Sequence, residues 1–494
     1  MPDNLPPKPG DKVFRPLRIK RFHLKRVLGV PALFSIGYGD VGSSIYYALG
    51  VVALVALGAT PVALGVAGVI YIFNALTYAE GSAMIPEGGG SASYARHAFN
   101  NLIGFISGWV LMLSYIATMA ISAYTIPPYL SYFWPALNNA SMSTIFAMGI
   151  IGFLMVINVL GVKESTRLNI IFIFLDITTQ ITIVVLGIVL ILSVNPSVLV
   201  QNMFGEGNWP STQNLIMGIA LAALCFTGVE SVSQHGQETR HPEKRMPQAY
   251  VLMIIVVLVL FAGISIVALS AMTPQMLGDP INGWARDPVA GIAANLPSEM
   301  LQDIFRPLVA ILAASILLTA TNAGLLGISR LTYNLSTNHQ LPAALGRVHP
   351  RFRTPYMAII VFCAIAILML APGFTSPDFF ADLGALYVFG SLLCFAFAHA
   401  AIINLRIKKS DMPRPFKLRG NINFKGKDLP VTAILGLLSN VGIWVVVMVT
   451  QPFSRWAGLS WMAGGLIIYS VYQWSRRKPS DEWEIKPGEK INRQ

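Results

Sequence analysis

Charge is scarce in this sequence. Only 12% of its 494 residues are charged, while 54% are apolar and the mean hydropathy is +0.61. Soluble domains carry about 25% charged residues, so a single soluble core is excluded. Cysteine is nearly missing as well. Cys225, Cys363 and Cys394 all fall inside apolar runs, which argues against a disulfide framework or a cysteine metal site. There is no His-Glu-x-x-His, no Walker loop and no Gly-x-Ser-x-Gly elbow. Enzymatic chemistry and ATP-driven pumping therefore lack visible machinery, and no cofactor is expected. No short apolar segment with a cleavage site precedes Pro31, so no removable signal peptide is expected.

What the chain does have is long apolar runs, at approximately 31–58, 61–85, 101–134, 143–162, 166–193, 213–234, 247–272, 305–335, 355–372, 379–405, 430–450 and 454–475. Each is long enough to cross a bilayer as a helix. The fold class expected is an all-α integral membrane protein with twelve spans. The net charge of +12 suggests nucleic acid until its placement is considered. With the N-terminus inside, the outward connections hold only Arg286, Arg306 and Arg455, and the other 32 of 35 basic residues lie in tails or inward connections. That alternation fits a cell-membrane protein with both ends cytoplasmic. The partners expected are the lipid bilayer and a small cation or amino acid, not nucleic acid; a homodimer is left open.

The runs group further. Residues 1–30, with eight basic residues from Lys8 to Arg26, read as a cytoplasmic lead-in, and 476–494 as a cytoplasmic tail. A glycine-interrupted, acid-bearing span at 31–58 is echoed at 213–234, and each opens a block of five. Interrupted spans at matching positions of two halves point to an inverted repeat with a midplane site. The blocks would be 31–193 and 213–405, with 430–475 outside the repeat.

The first span carries Gly37, Gly39, Gly42 and Asp40, with Ser43, Ser44, Tyr46 and Tyr47 following. A carboxylate in hydrocarbon is costly and normally faces a protein interior or water pathway. Glycine lowers the barrier to leaving helical geometry, so breaks are expected at Gly39 and Gly42, and at Gly228 in the sixth span. Asp40 suits a cation or a proton; an aspartate capping a half-helix is the bland alternative.

In the third span Tyr115, Thr118 and Ser122 fall at i, i+3 and i+7, one helix face. Packing between helices accounts for such a stripe when taken alone. Together with Asp40 and Tyr47, a cage of oxygen ligands for a hard cation is the better reading. In the sixth span Thr227 and Glu230 flank Gly228, and Glu230 reads equally as a proton carrier or a structural ion-pair partner. Glu80, Asp176, Asp382 and His399 are further ionisable groups within spans, each read as structural or near an interface rather than catalytic; Asp176 is the strongest candidate of these, because Thr178, Thr179 and Gln180 make its stretch unusually polar.

The stretches Tyr78–Tyr94 (with Pro86-Glu-Gly-Gly-Gly90), Gln237-Glu-Thr-Arg-His-Pro242 and Arg353-Thr-Pro-Tyr356 resemble those of the amino acid–polyamine–organocation superfamily, over about residues 25–475. That resemblance implies a five-plus-five inverted repeat with broken first and sixth helices. The segment Tyr38-Gly-Asp-Val-Gly-Ser-Ser-Ile-Tyr-Tyr47 is similar to the first-helix pattern of potassium uptake permeases of the KUP and KimA types. The resemblance implies potassium ligands at Asp40, Tyr47, Tyr115, Thr118, Ser122 and Thr227, with proton coupling through Glu230 and Asp40. Ile45 departs from it, standing where KUP proteins usually have proline, and so does the short tail after about residue 475. The expected function is proton-coupled uptake of a monovalent cation, with potassium and proton as transported ions. The alternative is an amino acid or amine permease of the same fold.

Overall fold

The computed structural model describes residues 26–161, 166–192, 196–376, 378–418, 420–424 and 427–477. The basic lead-in up to residue 25 and the tail beyond 477 lie outside the described residues. The described residues are mainly helical. It runs through α1 (Val30–Val41), α2 (Ile45–Ala56), α3 (Thr60–Met84), α4 (Ser91–Ala98), α5 (Asn101–Leu130) and α6 (Ala140–Leu160). Then come α7 (Thr166–Leu186), α8 (Pro196–Phe204), α9 (Thr212–Ala222), α10 (Pro242–Ala271), α11 (Pro274–Gly278) and α12 (Pro288–Ala294). The last are α13 (Glu299–Thr337), α14 (Tyr356–Met369), α15 (Phe379–Lys408), α16 (Val431–Thr450) and α17 (Pro452–Arg477). One antiparallel hairpin, β1 (Asn421–Phe424) with β2 (Lys427–Pro430), pairs Asn421 with Pro430 between α15 and α16.

Local chemistry marks the helix starts. Proline sits in the first turn of α1, α3, α10 and α12, where its missing N–H is no loss. Side chains of Asn100, Asn139 and Ser211 cap α5, α6 and α9 by accepting from backbone N–H groups.

Ten stretches among the described residues are long and apolar enough to cross a membrane. The first, Val30–Met84, is 55 residues, enough for two crossings, and reverses at Leu57, whose φ of 47° lies in the left-handed region. Counted as two, it brings the number to eleven. The remaining expected run is α17, which is long enough but is not among the ten. Large apolar side chains stand exposed on the outer helices, among them Phe174, Val259, Leu438 and Val449. A water-soluble protein would bury these, whereas a bilayer solvates them.

At the centre, α1 and α2 run antiparallel to the chain from α9 to Glu238. Leu28 bridges to Thr239 at one end, and Val27 N–H donates to Glu238 O at 2.8 Å. At the other end Gly218 is so close to Ala56 that a Cβ there would lie 2.7 Å from the alanine methyl. The pair is enclosed by α3, α5, α10, α13 and α15. The excursion after α10 is structured: α11 lies against α2 and α12 against α13. Arg286 fastens it by covering the Tyr124 ring at 5.5 Å and donating to Ser143 Oγ at 3.2 Å.

Two buried polar clusters hold the surround together. Asn74 and Thr77 of α3, His399 of α15 and Asn440 of α16 form one network, with bonds of 2.9, 2.9 and 2.7 Å. Both ring nitrogens of His399 are partnered there, as interhelical packing requires. Glu80 receives both Nε and Nη2 of Arg406, at 2.8 and 2.5 Å, and the backbone N–H of Leu418 at 2.9 Å. That ion pair ties α3 to α15 and to the segment leading into the hairpin.

Candidate functional site

The α1–α2 pair and the α9–Glu238 segment cross at Asp40 and Gly228. Gly228 has φ +99°, between one 3-10 turn ending at Phe226 and another beginning at Val229. A Cβ at this position would stand 2.7 Å from Asp40 Cγ, so only glycine supplies both the torsion and the space. The chain opens here.

The first helix does not open, contrary to the break expected at Gly39 and Gly42. Val41, Gly42, Ser44 and Ile45 all keep right-handed helical torsions, and Gly42–Ser44 merely tightens into a 3-10 turn. The reason is packing. The space a Cβ would fill at Gly42 is taken by the Tyr38 ring, 2.6 Å away, and Gly39 faces Ile173 and Thr319 on α7 and α13. Those glycines admit neighbours to a continuous helix.

Asp40 is 1% exposed, and among the described residues neither carboxylate oxygen has a hydrogen-bond partner. Ser43 Oγ bonds to the Asp40 backbone carbonyl at 2.7 Å, not to the side chain. Ser231 faces the carboxylate but donates its proton to Gly228 O at 2.7 Å. A bare, buried carboxylate costs several kcal/mol unless something positive meets it.

Glu230 is placed differently. Its Oε2 accepts from Gly228 N–H at 3.1 Å and its Oε1 from Ser114 Oγ at 3.4 Å, while Ser114 also bonds Ser391 at 2.8 Å. The side chain folds back over the start of the 229–238 turn. Among the described residues no lysine, arginine or histidine forms an ion pair with it.

The remaining residues divide. Tyr47 and Tyr115 lie within Coulombic reach of both Asp40 and Glu230. Tyr47 shares a hydrogen bond with Ser44 at 3.1 Å; the hydroxyls of Tyr115 and Ser122 are buried without a partner. Thr118 donates to Ser114 O at 2.9 Å and Thr227 to Leu224 O at 2.8 Å, so both hydroxyl protons are already engaged with backbone. Tyr387 of α15 was not singled out by sequence. Its hydroxyl is buried and unpartnered, beside Thr118 and within reach of Asp40, Tyr47 and Glu230. A tyrosine in the run Ala385-Leu-Tyr-Val-Phe389 reads as core, and only the fold brings it here.

Asp176 forms a separate, fully engaged cluster. It accepts from Tyr38 at 3.2 Å and Gln180 at 2.7 Å, and from Tyr46 as well. Tyr129 in turn donates to Tyr46 O at 2.7 Å.

Membrane-length helices enclosing a buried carboxylate at a helix break are the frame of a multi-pass membrane transporter. The amino acid permease family model matches residues 28–472, and the chain belongs to that family. It is 27% identical to the branched-chain amino acid permease BcaP of Bacillus subtilis, over 91% of this chain and 93% of that protein. The methylthioribose transporter of the same organism is 26% identical, over 91% and 94%. The low-affinity putrescine importer PlaP of Escherichia coli is 25% identical, over 94% and 97%.

Proposed function

We propose that this chain is a secondary transporter carrying a small amino-bearing organic solute, an amino acid or an amine, across the plasma membrane. The observation that carries the reading is Asp40, whose two buried oxygens have no partner and which sits against the open backbone of Gly228. Potassium is the weaker reading of the same carboxylate, because the relatives named above move organic solutes. The antiparallel crossing at Asp40 and Gly228 supports a five-plus-five inverted repeat of 31–193 and 213–405, and the basic residues gathered in alternate connections support cytoplasmic termini.

Alternating access would then turn on this crossing. The site residues are 0–1% exposed in this closed arrangement, so solute exchange needs the bundle to open on one side at a time. Glu230 is the proton carrier in this reading. As a carboxylate it holds Gly228 N–H and Ser114; once protonated it accepts these bonds more weakly and frees the break to move. The test is uptake into proteoliposomes under an imposed proton gradient, with labelled amino acids, labelled amines and rubidium in parallel. Gradient-driven uptake of an organic solute is expected. Rubidium flux with no organic uptake would overturn the reading.

A further inference from the structure

A groove away from the crossing lies where α10 begins, between its first turns and the segment carrying Pro415 and Phe416, with a volume of about 480 Å³. We propose that it seats one glycerophospholipid whose headgroup carries a primary ammonium, a phosphatidylethanolamine, with its phosphate at Lys244 and its ammonium at Glu243. Lys244, Gln248, Val251, Leu252 and Ile255 line the helical wall. Their spacing of i, i+4, i+7, i+8 and i+11 puts them on one helix face. That face changes from charged to apolar along its length, and Val251, Leu252 and Ile255 are exposed on it. From Lys244 to Ile255 a helix rises about 16 Å, close to the depth of one leaflet in a hydrocarbon core about 30 Å thick. A phospholipid carries the same gradient over the same length.

The opposite wall is fixed in place. Arg414 donates to Leu405 O at 3.0 Å and to Lys409 O at 2.9 Å, and Leu418 N–H is held by Glu80 at 2.9 Å. Pro415 and Phe416, between these anchors, give the groove a second side that a bare lipid-facing helix lacks. The headgroup follows from charge. Two neighbouring basic groups are engaged: Arg245 donates to Leu28 O at 3.4 Å, and Lys417 bonds Asp428. Lys244 is exposed and, among the described residues, takes part in no ion pair, so its ammonium is free to meet a phosphate. Glu243 lines the same groove, its Oε1 3.4 Å from His241 Nδ1. An acid next to a base repels a headgroup that is only negative and matches one that carries both signs. A carboxylate accepts hydrogen bonds and donates none, so three ammonium N–H donors serve it where a quaternary ammonium offers none.

The test uses the full-length protein, purified in detergent and equilibrated with equal amounts of dioleoyl phosphatidylethanolamine, phosphatidylglycerol and phosphatidylcholine. Native mass spectrometry then counts the lipid that stays bound. One tightly retained phosphatidylethanolamine is expected, favoured about tenfold over each of the other two. Glu243→Gln should remove the preference over phosphatidylcholine. Lys244→Gln should weaken retention of that one molecule about tenfold whatever its headgroup. Both side chains reach the surface, so thermal midpoints should stay at the wild-type value. Ile255→Trp fills the apolar end while leaving both charges in place, and it should displace the lipid too. Phosphatidylglycerol retained best, and more strongly still in Glu243→Gln, would overturn the headgroup assignment. Equal retention of the three lipids, unchanged by all three variants, would overturn the site and leave an ordinary lipid-facing surface.

Discussion

Gly228 and Asp40 interlock: a methyl group on the glycine would stand 2.7 Å from the aspartate Cγ. The backbone at Gly228 is also left-handed, which costs an L-residue about 1–2 kcal/mol before any clash is counted. Gly228→Ala should therefore lower the thermal midpoint modestly and abolish uptake, because the methyl group occupies the face of Asp40 that a solute must reach. Thermal unfolding with uptake measured on the same preparation checks this. Full activity in the alanine variant would mean that the crossing is not where the solute binds.

The clusters outside the crossing should respond differently. Asp176 accepts from Tyr38, Tyr46 and Gln180, so it is satisfied where Asp40 is not. Asp176→Leu strands those donors in the interior, at about 1–3 kcal/mol for each one left unpaired. Asp176→Asn keeps an acceptor and should cost less. The expected signature is a large drop in thermal midpoint for leucine, a smaller one for asparagine, and an unchanged half-saturation concentration in whatever folded asparagine variant remains.

Glu80 and Arg406 give a third case. Both are buried, with side-chain exposures of 0% and 3%. Removing one partner leaves an uncompensated charge, at about 3–5 kcal/mol, whereas replacing both is far milder. Arg406→Met should destabilise strongly, and Glu80→Gln with Arg406→Met should recover most of the loss. A double-mutant cycle by thermal unfolding measures the coupling; additive single effects would show that the pair is not coupled.

The helical class and the two acids were legible because hydrocarbon does not solvate a carboxylate, so an acid within an apolar run must face the protein interior or a pathway. The stripe at Tyr115, Thr118 and Ser122 was legible as one face, but not which hydroxyls are free. Thr118 spends its proton on Ser114 O, while Tyr115 keeps its own. Glycine misled at Gly39 and Gly42. The same residue that permits unwinding also permits close packing, and the Tyr38 ring decides between them at Gly42. Tyr387 was invisible for a related reason: its chain neighbours are all apolar, and the polar groups it lies near come from helices far away in sequence.

The excursion between α10 and α13 carries a pH response of its own. Asp287 precedes α12, and burial pushes its carboxyl up to about 7 against the opposing pull of Arg286. A carboxyl raised in the folded protein binds its proton more tightly there than in the unfolded chain, whose value is about 3.9. The unfolded state therefore holds fewer protons between those values, and stability falls as pH rises through the window. Thermal midpoints should be higher near about pH 5 than near about pH 8, with Asp287→Asn flattening the slope over that interval. Arg286→Gln should steepen it, since the guanidinium that favours the charged form is gone. An Asp287→Asn protein with the wild-type pH slope would place the titrating group elsewhere.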